Sequence, residues 1–234
     1  MLLGHREAGK SSAANTILGQ KESDLRRAAQ CVKTQGDVAG RKVTLVEAPG
    51  WRRNCPLGNT NKMTTQEIEL SVSLCSPGPQ AVILVLNVDT AFTDTNRGAV
   101  KQHLELLSER IWKHTMVLFT GADFLGDVVI EEHIESEGAA LKWLIEKCGN
   151  RYHILNNENT DDDTQVKELL DKIEEMVAGN GGCHYESHKK IFKESVKKDM
   201  QNRVKERAVM VKKQRENQRL CMGESKKYIL YNHI

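Results

Sequence analysis

The stretch Met1-Leu2-Leu3-Gly4-His5-Arg6-Glu7-Ala8-Gly9-Lys10-Ser11-Ser12 decides how the rest of the chain is read. Gly4, Gly9, Lys10 and Ser11 fit G-x-x-x-x-G-K-[ST], a loop that wraps the phosphates of a nucleoside triphosphate. A short apolar strand ends at Gly4, and the backbone then curls to aim successive N–H groups inward. His5, Arg6, Glu7, Ala8 and Ser12 therefore join the four motif positions as candidate phosphate-binding residues. Gly9 admits a close approach, Lys10 supplies a point charge, and the Ser11 hydroxyl suits magnesium. A helix expected from Ser11 to about Leu18, ended by Gly19, adds its positive N-terminal end.

The 234 residues are enough for one α/β domain with an appendage. Hydrophobic residues make up 39% and charged residues 28%, the balance of a water-soluble fold with a modest core. No run of about 18 apolar residues occurs, so no membrane-spanning helix is expected. Met1-Leu2-Leu3 leads straight into the glycine loop, which argues against a signal peptide. The six cysteines, at 31, 55, 75, 148, 183 and 221, never stand as C-x-x-C, which points to reduced thiols in the cytoplasm. Cys183, His184 and His188 lack a fourth ligand and read as a polar linker ahead of a metal site.

The net charge of +2 hides an asymmetry. Lys189 to Lys227 holds 14 Lys/Arg and 5 Asp/Glu, whereas the remainder is acidic. A basic tail, residues 179–234, thus follows an acidic body, residues 1–178. The tail carries helix formers with sparse apolar residues and reads as a weakly amphipathic helix. A coiled coil or a peripheral contact with anionic intracellular membranes stays open beside that reading. Interleaved acids and few aromatics argue against nucleic-acid binding.

Between loop and tail, strand and helix alternate. Gln20 to Gly40 is polar and reads as irregular, with Gly36 and Gly40 as breakers. Arg41 to Val46 is an expected strand, 51–65 a mobile loop and Gln66 to Leu74 a short helix. Ala81 to Val88 is a continuous apolar run, the mark of a parallel strand covered on both faces. A helix over Arg97 to Ile111, a strand over Thr115 to Thr120, a helix over Ile130 to Cys148, a strand over 151–157 and a helix over Asp163 to Val177 follow. Such alternation predicts a three-layer α/β fold with a mostly parallel central sheet.

Ligands of such sheets bind at the carboxyl ends of the strands. Glu47-Ala48-Pro49-Gly50 lies where a GTPase places D-x-x-G. Glu47 is then a magnesium ligand beside Ser11, and the Gly50 N–H a sensor of the γ-phosphate. A plain proline-glycine turn is the other reading. Several blocks together resemble the immunity-associated GTPases (GIMAP), relatives of septins and chloroplast import GTPases. They are Gly4 to Gly19, the Ala-Pro-Gly turn, Gly78 to Leu86, Phe92-Thr93, Leu118 to Thr120, and Cys148 to His153 with Asn156-Asn157. The resemblance covers roughly residues 1–178. It implies a P-loop GTPase domain that holds GTP or GDP with Mg2+. It implies a guanine site at Thr120, Gly121, Ala122 and Asp123, joined by Asn156 and Asn157, and self-association through the G domain. A carboxylate accepts both guanine N1–H and N2–H, which adenine does not offer.

Five positions depart from the family pattern. Glu7 replaces a second loop glycine, and a carboxylate near phosphates costs binding energy unless it turns outward. Ala28-Ala29-Gln30-Cys31 lacks the threonine that the family carries before its cysteine. Glu47 replaces Asp. Phe124 takes the usual aspartate position, with Asp123 one residue early. Leu2 and Leu3 alone precede Gly4, where a strand usually has about five residues. Trp51 also stands where many GTPases place a glutamine that orients water, so hydrolysis is expected to be weak or to need an arginine from a partner. Arg97 is a candidate donor; a solvated residue in a helix's first turn is the alternative. Two readings remain: a slow GTP-binding assembly switch, or a catalytically degenerate scaffold acting through protein–protein contacts.

Overall fold

Leu2 and Leu3 form β1, and this two-residue strand lies in the middle of the sheet. A computed structural model describes residues 1–20, 29–126, 128–156 and 163–186. Leu2 pairs in parallel with Glu47 on one side and Ile83 on the other, and Leu3 pairs with Leu84. Flanking backbone extends the ladder: Ala48 N–H donates to Leu2 O (3.1 Å) and Ile83 N–H to Met1 O (2.8 Å). Pairing on both edges delivers Gly4 to the carboxyl end of the sheet despite the strand's brevity.

The other strands are β2 (Val32–Val38), β3 (Arg41–Glu47), β4 (Val82–Asn87), β5 (Thr115–Thr120) and β6 (Tyr152–Leu155). Their order in space is β2-β3-β1-β4-β5-β6, parallel except for the β2–β3 hairpin. The helices are α1 (Lys10–Leu18), α2 (Lys62–Leu74), α3 (Asp94–Glu105), α4 (Ile130–Glu137), α5 (Ala139–Lys147) and α6 (Asp163–Gly179).

Alternating side chains of the central strands enter two cores, as the period of a strand requires. Leu3, Val46, Leu84, Val117 and Phe119 pack with Ile68 of α2, Leu104 of α3 and Leu144 of α5. Leu2, Ile83, Val85, Met116 and Leu118 pack with Ile17 of α1 and Leu169 of α6 on the opposite face. The continuous apolar runs of β4 and β5 follow from burial on both faces.

Four elements differ from the sequence expectation. The irregular stretch before Gly40 contains β2, an edge strand exposed along much of its length. Ala39 and Gly40, with φ of 48° and 76°, close it onto β3 through a two-residue turn of the I′ kind. The helix α2 starts at Lys62, because the Asn61 side chain accepts the Met63 N–H (2.8 Å) as an N-cap. Thr93 and Asn96 form a reciprocal capping box, which starts α3 at Asp94. Gly138, at φ 89°, divides the expected helix from Ile130 to Cys148 into α4 and α5.

After α6 the chain crosses to the amino ends of the strands. Tyr185 is 1% exposed, its N–H donates to Pro79 O (2.9 Å), and its hydroxyl bonds Leu107 O and Ser108 Oγ. A Cβ on Gly78 would lie 2.1 Å from Tyr185 O, so this docking requires glycine there. The compact unit continues through this segment. From residue 187 onward the basic tail, and with it the coiled-coil and membrane expectations, lies outside the described residues.

Candidate functional site

The loop between β1 and α1 is shaped by what its glycines make room for. A Cβ on Gly4 would lie 2.7 Å from Val85 O, and one on Gly9 would lie 2.7 Å from Thr120 Oγ1. The Thr120 hydroxyl, 3% exposed, donates to Ala8 O (3.0 Å) and Leu86 O (3.2 Å). Thr120 thus braces the loop from below. Ala8 is fully buried and does not line the cleft.

Glu7 adopts φ 66°, in the left-handed region that glycine enters freely. A residue with a Cβ is disfavoured there by about 1–2 kcal/mol. Replacing Glu7 by Gly is therefore expected to raise the free energy of unfolding by about 1 kcal/mol and to tighten anion binding, since a carboxylate leaves the cleft. Urea titrations of Glu7→Gly beside Glu7→Ala check this, because Ala removes the charge and keeps the backbone conflict. Equal stability of the two variants would contradict the assignment of strain.

Lys10 is 7% exposed, and its Nζ donates to His5 O at 2.7 Å. Burial pulls the ammonium down to about 8; Glu47 opposes the shift and the Arg6 charge adds to it. The Ser11 hydroxyl donates to Glu47 Oε1 at 2.7 Å, so the two expected magnesium ligands stand side by side. A hydroxyl and a carboxylate are hard oxygen donors. They fit Mg2+, which retains waters and takes phosphate oxygens in such sites. Among the described residues no three His, Cys, Asp or Glu side chains gather in another way.

Gly50 closes the far wall. A Cβ there would lie 2.6 Å from Arg6 N, 2.7 Å from His5 C and 2.7 Å from Lys10 Nζ. The turn after β3 therefore touches the loop backbone itself. Arg6 N–H donates to Trp51 O (2.7 Å), and Arg6 Nε donates to Gly50 O (3.3 Å). Arg6, Glu7, Gly9, Lys10, Ser11, Ser12, Glu47 and Gly50 line one open cleft of about 720 Å³. That size lies within the about 300–1,000 Å³ usual for ligand sites. Asn61, Met63 and Thr64 at the start of α2, with Ala29 and Gln30, complete the lining. Sequence reasoning missed the α2 residues, for which the N-capping Asn61 was the signal; Ala29 and Gln30 belong to the stretch that lacks the family's threonine.

Behind the cleft, buried groups tie its flanking segments together. Cys31 N–H donates to Glu67 Oε2 (2.7 Å), which joins the start of β2 to α2. Trp51, 1% exposed, stacks on His103 with centroids 4.4 Å apart and planes at 10°. His103 reaches Ala99 O through Nδ1 (2.7 Å) and Thr60 Oγ1 through Nε2 (2.8 Å). Burial holds this imidazole below its ordinary value, and the bond to Ala99 opposes the shift. The residue after Gly50 is thus packed into the protein.

After β5, Gly121 has φ 72°, and a Cβ on it would meet Asn87 Oδ1 at 2.6 Å. It starts a 3-10 turn, Ala122–Leu125, that presents Asp123 and Phe124 to solvent, the latter 68% exposed. Asn156 follows β6, clamped by Gln165, which accepts its N–H (2.9 Å) and donates to its carbonyl (3.1 Å). Asn157 lies outside the described residues. Arg97 pairs with Asp94 at 3.1 Å and lies 5.8 Å from the Trp143 ring centroid, in the first turn of α3.

Comparison with known proteins gives this geometry a context. The AIG1 family model matches residues 1–208. The chain is 30% identical over 192 residues to GTPase IMAP family member 8 of Homo sapiens, covering 79% of this chain and 27% of that protein. It therefore spans about a quarter of that relative's length. The structure of Toc33 from Arabidopsis thaliana with GDP and Mg2+ superposes with a TM-score of 0.59 at 16% identity, covering 76% of this chain and 83% of that one. A structure from work on the chloroplast translocon components atToc33 and psToc159, for whose GTPase activity dimerisation is important, gives 0.58 at 16% identity, covering 75% and 80%. At this identity the two structures speak for the fold.

Proposed function

The chain belongs to the AIG1 family, and from that premise we propose that it is a guanine-nucleotide-binding switch whose slow, partner-dependent hydrolysis of GTP controls self-association. The observation that supports it most is the Ser11–Glu47 hydrogen bond beside Lys10, at one wall of a single cleft. Loop N–H groups and Lys10 would hold the phosphates, and Ser11 with Glu47 would hold Mg2+. Bound there, the ion would neutralise charge building on the phosphate oxygens. Gly121 to Asp123, with Asn156 and Asn157, would carry the guanine. Asp123 is the carboxylate available to the base edge. Thr120 would contribute by bracing the loop.

Slow turnover follows from what stands after Gly50. The Trp51 ring is packed against His103, and it carries no group able to accept a proton from an attacking water. A partner would have to supply a cation or orient the water, as dimerisation matters for the translocon GTPases. Arg97, the candidate donor of such a cation, stands beside Asp94 and Trp143 on the surface. Turnover per chain is expected to rise with protein concentration. Fast turnover independent of concentration would contradict the proposal. The second reading, a degenerate scaffold, draws its support from the strained Glu7 inside the loop.

A further inference from the structure

Arg6 carries a charge that the loop motif does not require. Its backbone is fixed against the turn after β3 by the bond from Arg6 N–H to Trp51 O (2.7 Å). Its side chain reaches across the mouth of the loop, where Nε donates to Gly50 O at 3.3 Å. That bond uses Nε alone, and among the described residues no hydrogen bond engages the two terminal nitrogens. The exposed guanidinium lines the same cleft as Lys10, Ser11 and Gly50.

These positions divide the phosphate path. Lys10 is tethered within the loop to His5 O, and Ser11 with Glu47 stands at the start of α1. Gly50 marks the end of the cleft where a terminal phosphate would meet a backbone N–H. A guanidinium anchored to the Gly50 carbonyl lies at that end. Its planar fork suits two phosphate oxygens, which a lysine ammonium contacts only as a point charge. Glu7 and Glu47 also line the cleft, so Arg6 restores the balance that a triphosphate needs more than a diphosphate does.

We propose that Arg6 reads the terminal phosphate from within the chain and so sets the preference for a nucleoside triphosphate over a diphosphate. This rests on the nucleotide-binding reading above. The guanidinium is a specificity determinant of the resting switch. It acts on binding of the terminal phosphate, apart from the help a partner gives to hydrolysis.

The test is a pair of affinities, for Mg-GDP and for a non-hydrolysable Mg-GTP analogue, in the unaltered full chain, in Arg6→Ala and in Arg6→Lys. The ratio of analogue to GDP affinity is expected to fall about tenfold in Arg6→Ala, the scale of one lost charge-assisted hydrogen bond. Arg6→Lys should restore the ratio only in part, since it returns the charge without the fork. A ratio that stays the same in Arg6→Ala, with GDP still bound, overturns the role of Arg6 and leaves the nucleotide reading standing. No binding of either nucleotide by the unaltered chain overturns both.

Discussion

Replacing Lys10 by Met is expected to stabilise the nucleotide-free protein and to abolish nucleotide binding in the same step. In the folded chain the Lys10 ammonium is buried and titrates near 8, against an ordinary value of 10.5. Below pH 8 both folded and unfolded chains hold the proton, and the fold bears the whole cost of keeping the charge out of water. Between about 8 and 10.5 the unfolded chain still holds a proton that the folded chain has released. Stability from this group therefore rises with pH across that window. Met removes the charge and keeps an unbranched chain to fill the space. The bond to His5 O is lost in exchange, so a net gain of about 1–2 kcal/mol is expected at pH 7. Urea unfolding at pH 7, 8.5 and 10 checks this. The advantage of Lys10→Met over the unaltered chain should shrink as pH rises. A variant less stable at pH 7, with no such narrowing, would show that Lys10 is not held at a cost. Nucleotide binding should fall out of the measurable range, since removing a buried charge-assisted partner from a phosphate costs about 2–5 kcal/mol or more.

Gly50→Ala is expected to have the second large effect. Two of the three atoms crowding its Cβ belong to the loop backbone, Arg6 N at 2.6 Å and His5 C at 2.7 Å, and backbone cannot rotate aside. The turn must move off the loop, stretching the bonds from Arg6 to Trp51 O and Gly50 O. A loss of about 2–3 kcal/mol in stability is expected, in the range for overpacked sites, with at least about tenfold weaker nucleotide binding. Gly98→Ala provides the contrast. Gly98 lies inside α3 with nothing within 4 Å of its Cβ. Alanine there should stabilise by about 0.5–1 kcal/mol through helix propensity. Chemical denaturation of both variants checks the pair. Equal, small effects would mean that the Gly50 approach is not tight in solution.

Several of these features could be read from residues alone. β4 and β5 carry continuous apolar runs, Val82 to Leu86 and Met116 to Phe119, because helices cover both faces, and this sets them apart in any sequence scan. The loop was legible because backbone curvature, lysine and hydroxyl must recur at fixed spacing. β2 was not legible: an edge strand pairs through its backbone, so Lys33, Thr34, Gln35 and Asp37 need no pattern of burial. Its turn uses Ala39 in a conformation that usually announces itself with Asn or Gly.

At the site, one-dimensional spacing identified Lys10, Ser11, Glu47 and Gly50 but gave no distances. The inward turn of Thr120, the packing of Trp51 on His103 and the reach of Arg6 to Gly50 depend on contacts between segments far apart in the chain. Glu7 shows both sides. Its identity was a visible departure, and its meaning came from φ 66°, which puts a Cβ where the loop wants none.

The central claim is that Lys10, Ser11, Glu47 and Gly50 together make a guanine-nucleotide site. Isothermal calorimetry of the full chain with Mg-GDP and a non-hydrolysable Mg-GTP analogue, repeated with ATP and with Lys10→Met, tests it most directly. Dissociation constants in the micromolar range or tighter are expected for both guanine nucleotides, with weaker binding of ATP and loss of all binding in Lys10→Met. Absence of heat at millimolar guanine nucleotide, or binding that survives in Lys10→Met, would contradict it.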